Sequence, residues 1–104
     1  MIKTTSDTVP GRDIQETLGL VTANAVRARH VGRDILASLK MIVGGEIGAY
    51  RRLLTESREQ ALERLDGEAV NLGADAIVAL RITTSSVAQG ASEIMVYGTA
   101  VRLA

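Results

Sequence analysis

The spacing of apolar residues changes period several times along this chain, and each change marks an expected element. Ile2 to Thr5 is a short β-rich run, closed by the turn-forming residues 6–11, within which Pro10-Gly11 is the strongest turn signal. From Asp13 to His30 the pattern alternates. Ile14, Leu18, Leu20, Val26 and Ala28 occupy even positions, with Gln15, Thr17, Arg27 and Arg29 between them. A period of two predicts a strand. At about 3.3 Å per residue such a segment would reach roughly 60 Å, whereas a 100-residue domain has a radius of gyration of about 13 Å. The strand is therefore expected to bend near Gly19 or to project toward a partner chain.

The period then lengthens. Ile35, Leu36, Leu39, Ile42 and Val43 recur at three- and four-residue spacing, which predicts a first helix within 31–45, ended by Gly44-Gly45. A second, longer helix is predicted from Glu46 to Leu72. Its apolar stripe runs through Ile47, Tyr50, Leu54, Ala61, Leu65 and Leu72, widened by Leu53, Leu62 and Ala69. Arg52, Glu56, Glu59, Glu63, Arg64, Asp66 and Glu68 fill the opposite face. Ser57 with Gln60 could cap a separate helix, but the stripe stays in phase across Thr55-Glu56, which favours one helix. Gly67 lies inside it, at a cost of about 1 kcal/mol relative to Ala, and Gly73 is a natural C-cap.

Ala76 to Val87 alternates again, with Ala76, Val78, Leu80 and Ile82 expected on one face. Its opening, ADAIVAL, is apolar on both faces, as a strand covered on both sides would be. Gln89-Gly90 supplies a turn, and Ile94 to Leu103 returns as the second strand of a hairpin. The predicted order is β-β-α-α-β-β. This is an α+β fold in which an antiparallel sheet carries one long helix, and residues 1–104 form a single domain without internal repeats.

Composition narrows the chemistry. Twelve Lys+Arg balance twelve Asp+Glu, so no general electrostatic grip on nucleic acid or on an anionic membrane is expected. Tyr50 and Tyr97 are the only aromatic residues, which excludes base-stacking platforms and aromatic cages. The absence of Cys removes disulfides, thiolate metal sites and cysteine nucleophiles. The N-terminal residues lack the apolar core of a signal peptide, and no run approaches the roughly 20 apolar residues that span a bilayer. A cytoplasmic protein is expected.

Few residues remain for a site. His30 is the sole imidazole, with Asp34 one helical turn away. The pair could give two metal ligands, where a stable site takes three or four, so a surface or packing role is favoured unless symmetry brings several copies together. Gly44-Gly45-Glu46 at a helix start resembles an anion cradle, yet Glu46 would repel phosphate and the full phosphate-binding signatures are absent. A tight interhelical joint explains those glycines better. Glu59 with Glu63, and Glu63 with Asp66, share a helix face, but it is the polar face, where solvated charge is the simpler explanation. No GxSxG elbow surrounds any Ser, and no nucleophile, base and orienting group stand together.

The succession LGLVTANAV at 18–26, RDILASLKMIVGGEIGAY at 33–50, REQALERL at 58–65, GADAIVAL at 73–80 and YGTAVRL at 97–103 resembles the YbjQ family of small bacterial and archaeal proteins. The resemblance covers nearly the whole chain. It implies a dodecin-subunit-like core assembled into a ring, a homopentamer, in a family that carries a heavy-metal-binding label and no established activity. The stretch ANAVRARHV at 23–31 departs from the family's usual sequence there, so a pocket at that place would differ. Gly44, Gly45, Glu46 and Tyr50 match the family motif, which marks them as ligand-facing or interface candidates beside His30 and Asp34.

Three functional readings follow. The first is a non-enzymatic, ring-forming binding or scaffold protein, whose edge strands pair between subunits. The second is a metal- or anion-binding module with sites built at subunit interfaces from His30, Asp34 or the Gly44-Gly45-Glu46 joint. An enzyme is the least expected, and no cofactor is called for.

Overall fold

A computed structural model describes residues 1–27, 47–88 and 91–104. The described elements are β1 (Ile2–Lys3), β2 (Ile14–Arg27), α1 (Ile47–Asn71), β3 (Ala76–Ala88) and β4 (Ala91–Leu103). The helix expected within 31–45 and the Gln89-Gly90 turn lie outside the described residues. The four strands form one sheet in the order β1-β3-β4-β2. β4 is antiparallel to both its neighbours, as the expected hairpin requires, but β1 runs parallel to β3, with Ile2 opposite Ala76 and Lys3 opposite Ile77. The sheet is therefore mixed, not antiparallel as expected. The parallel strand is only two residues long, and its direction is set by a partner far along the chain, which local alternation does not encode.

α1 is a single helix that runs through Ser57 and Gly67 without a break. Its buried line is Ser57, Ala61, Leu65 and Ala69, spaced to present one face. Leu72, expected on this stripe, lies just past the helix and is 46% exposed. The C-terminus closes as a Schellman motif. The Ala74 amide donates to the Ala69 carbonyl at 3.0 Å and the Gly73 amide donates to the Val70 carbonyl at 2.9 Å. Gly73 takes a φ of 79°, the left-handed conformation that this motif demands.

α1 lies chiefly over β2 and β4. Beneath it are Val21, Ala23 and Ala25 of β2, Ile77 and Leu80 of β3, and Ile94, Val96 and Ala100 of β4. Arg64 ties the helix to β2 by donating to the Asn24 carbonyl at 2.6 Å. A second, smaller cluster lies on the opposite face of the sheet. It joins Ala76, Val78, Val101 and Leu103, with Val9 and Ile14 packed against them. ADAIVAL is thus covered on both faces at its start, as its composition suggested.

The strands do not keep the simple alternation read from the sequence. In β2 the pairing with β4 shifts between Ile14 and Glu16 and again between Thr17 and Gly19. Each shift is a bulge, which adds one residue and reverses the facing of those that follow. Ile14 consequently joins the far-face cluster, while Leu18 packs on the helix side. The core face of the strand is the odd set Val21, Ala23 and Ala25, and Leu20 is 71% exposed. In β3 a bulge places Ala79 and Leu80 opposite Gly98, so Leu80 and Ile82 face away from Ala76 and Val78. Near Gly19, where a bend or a projecting strand was expected, the pairing shifts by one residue, with Gly19 at a φ of 129°.

Candidate functional site

Of the residues singled out from the sequence, His30, Asp34, Gly44, Gly45 and Glu46 lie outside the described residues. Tyr50 sits in the first turn of α1. The described residues draw attention elsewhere, to the two outer edges of the sheet and the residues along them.

One edge belongs to β3, and its first half is occupied. The Thr4 amide donates to the Ile77 carbonyl at 3.0 Å, and the Leu80 amide donates back to the Thr4 carbonyl at 3.0 Å. The bulge turns the Ala79 amide outward as well, to the Ser6 carbonyl at 2.8 Å, with Ala79 at a φ of 52°. Arg81 completes the clasp by donating to the Thr5 carbonyl at 2.9 Å and to the Leu80 carbonyl at 2.8 Å. The N-terminal segment is held at two more points. Lys3 pairs with Asp66 of α1 at 3.0 Å. The Arg12 amide closes a turn on the Val9 carbonyl at 3.1 Å, with Pro10 and Gly11 (φ 81°) at the positions a type II turn assigns them.

Beyond Leu80 this clasp ends. Among the described residues, β3 from Arg81 to Ala88 has β4 on one side and no strand on the other, and β2 has no strand on its outer side at any point. The helix side of the sheet is also unevenly covered. With α1 over β2 and β4, Ile82 on β3 remains 44% exposed. On the opposite face Leu20 is exposed beside Thr99, and the next row across the sheet is Thr22, Tyr97 and Arg81.

The arrangement offers little to a metal or to catalysis. Among the described residues no three His, Cys, Asp or Glu side chains come together. Asp66 Oδ1 is buried without a hydrogen-bond partner, but its other oxygen binds the Lys3 ammonium, whose charge opposes a cation there. Asp75 is engaged in structure, accepting the Leu103 amide at 2.9 Å. Glu16 pairs with Arg102 at the surface. A heavy-metal site favours thiolate and imidazole donors, and this chain has no Cys and one His. The donor set of a single chain does not fit such a site. No helix among the described residues is long and apolar enough to cross a membrane.

Sequence reasoning missed Arg81, Ile82 and Leu20 as surface features. Their placement depends on bulges, and the only signals available were a glycine at 19 and another at 98.

Comparison with known proteins agrees with the motif-based resemblance. The family model YbjQ_1, described as "Putative heavy-metal-binding", matches residues 1–104. A UPF0145 protein of Photobacterium profundum is 61% identical over 100 residues, covering 96% of each chain. Another from Vibrio campbellii is 53% identical over 103 residues, 99% of each chain. An archaeal one, from Archaeoglobus fulgidus, is 56% identical over 103 residues, covering 99% of this chain and 95% of that protein. Among solved structures, a protein of unknown function of the DUF74 family from Pediococcus pentosaceus covers 100% of this chain and 98% of its own, at 18% identity and a TM-score of 0.58. The full-length match and the close relatives make this chain a member of the YbjQ family, whose relatives are named UPF0145 proteins.

Proposed function

We propose that this chain is the subunit of a ring-forming homo-oligomer, a homopentamer, that serves as a non-enzymatic binding or scaffold protein. The observation that carries the reading is the pair of open sheet edges. A long unpaired edge is a template for aggregation that proteins usually shorten, charge, interrupt or cover. Bulges interrupt both edge strands and the N-terminal segment covers the start of β3, but the stretches between are neither charged nor broken by proline. The run from Leu18 to Val26 has no charged residue and no proline, and the run from Ile82 to Ala88 has none either. Closure of copies into a ring pairs both edges and leaves none free.

Surface area supports the same reading. A monomer of 11.0 kDa is expected to expose about 5,600 Å², and this chain exposes 6789 Å². The excess accompanies an elongated shape, with extents of 52 × 23 × 17 Å and a radius of gyration of 16.8 Å, against about 13 Å for a compact chain of this length. Size-exclusion chromatography with light scattering tests the proposal, and a monodisperse monomer at micromolar concentration contradicts it. The second reading, a metal- or anion-binding module at subunit interfaces, draws on His30, Asp34 and the Gly44-Gly45-Glu46 joint together with the family's label. Calorimetric titration with Zn²⁺, Cu²⁺ and Ni²⁺ separates it from the first: saturable binding abolished by His30→Ala would favour a metal site shared between copies.

A further inference from the structure

We infer that residues 1–8 form a strap that opens as one unit about the Val9–Arg12 turn while the sheet stays folded. Opening uncovers three consecutive hydrogen-bond donors on β3. They are the Ala79 amide, the Leu80 amide and the Arg81 guanidinium, which bind the carbonyls of Ser6, Thr4 and Thr5 respectively. In a regular strand successive amides point to opposite sides. Here the amides of Ala79 and Leu80 both point away from β4, and Ala79 reaches that arrangement with a φ of 52°. A left-handed alanine is costly and persists only where its surroundings hold it. On the outer side of β3, the strap supplies that hold.

The strap is shaped from within and attached lightly. The Ser6 amide donates to Thr4 Oγ1 at 3.2 Å, which closes an ST-turn. The Ser6 hydroxyl donates to the Thr8 carbonyl at 2.7 Å, so Thr4 is the donor in the 2.8 Å contact between the two hydroxyls. These bonds lie inside the strap and survive its opening. Its attachments elsewhere bury little apolar surface: Met1, Ile2 and residues 5–8 are all exposed. Besides the three donors and the two-residue β1 pairing, the hold is the Lys3–Asp66 ion pair at 3.0 Å, both side chains partly exposed. A segment held by exposed main-chain hydrogen bonds over little apolar contact is the kind that opens first. The anchorage changes at Val9, which packs with Ala76, Val78, Val101 and Leu103 and so fixes the hinge end. On its other side β3 keeps Ile77 opposite Ala100 and Val78 opposite Thr99, so the β3–β4 ladder does not depend on the strap.

Amide hydrogen exchange on the full chain, resolved by residue with NMR, tests the strap whatever the number of copies. In the wild type the Thr4, Ala79 and Leu80 amides are expected to exchange in step, at least about 100-fold faster than the amides of central β4. Arg81→Ala removes one of the three donors at an exposed position and is expected to speed all three amides by about tenfold. Lys3→Ala breaks the ion pair to α1 and is expected to speed the same three by up to about fivefold. Both variants leave the β4 amides unchanged. Exchange of Thr4, Ala79 and Leu80 at the β4 rate in the wild type would overturn the inference, because the segment would then open only with the whole molecule. So would variants that speed Thr4 but not Ala79 and Leu80, or that move none of the three. Lys3→Ala changes only a surface side chain, so it decides the matter even if Arg81→Ala fails to fold.

Discussion

Gly98 shows how one missing side chain lets two strands, β3 and β4, approach closely. A Cβ built there would lie 2.6 Å from Ile77 Cγ2 and 3.1 Å from the Val78 carbonyl oxygen. The carbonyl belongs to the backbone just before the β3 bulge and cannot swing aside as a long side chain would. Gly98→Ala is expected to destabilise the protein by about 1–3 kcal/mol, the usual cost of overpacking, read from the urea midpoint at fixed protein concentration. Two helix glycines give opposite signs. Gly67 is exposed and has ordinary helical geometry, and a Cβ added there would meet nothing within 4 Å, so Gly67→Ala is expected to stabilise by about 1 kcal/mol. Gly73 holds a left-handed φ at the helix end, and Gly73→Ala is expected to cost about 1–2 kcal/mol. Thermal melts of the pair check both directions in one experiment. Gly73 was legible from sequence because it follows a long apolar stripe. The role of Gly98 was not, since its constraint comes from Ile77 and Val78, two residues distant in the chain.

At the scale of elements, α1 was the most legible part of the fold. Its stripe is long, and period 3.6 survives small errors at either end. The structure nevertheless redistributes weight along it. Leu65 is fully buried and Leu72 is 46% exposed, although both fell on the expected stripe. Leu65→Ala is therefore expected to cost about 2–5 kcal/mol, and Leu72→Ala to stay within about 0.5 kcal/mol, as measured by chemical denaturation. The strands were legible as strands but not in their facing. In β2 the large even-numbered residues suggested the core side, yet the helix rests on Val21, Ala23 and Ala25. Small side chains there, facing Ala61 and Ala69, allow the helix close to the sheet, and the bulges split Ile14 and Leu18 between opposite faces. A bulge leaves almost no mark in hydrophobic pattern, because its signal is a reversal of phase between residues that are apolar on both sides. The parallel β1 was hidden for a related reason. Its pairing with Ala76 and Ile77 spans most of the chain and is held by the Ala79 bulge and the Arg81 clasp.

For the molecule as a whole, family membership was legible in ordered motifs spread along the chain, and the family model matches residues 1–104. The candidate site was less so. The residues chosen for chemistry, His30, Asp34, Gly44, Gly45 and Glu46, lie outside the described residues, and the surfaces that stand out instead are main-chain edges, which no side-chain motif announces. Aromatic-poor composition gave the indirect hint. Without Phe or Trp, burial must accumulate from many aliphatic contacts of about 1.5–3 kcal/mol each, and a sheet of this length with one helix leaves Leu20, Ile82, Val70 and Leu72 partly outside. Under the proposed oligomer, burial shared between copies would account for that surface. The most direct test is the mass of the untagged wild-type protein in solution, by size-exclusion chromatography with multi-angle light scattering across a micromolar dilution series. The account predicts one species at about five times the 11.0 kDa chain mass, unchanged on dilution. A single peak at 11.0 kDa throughout the series would contradict it.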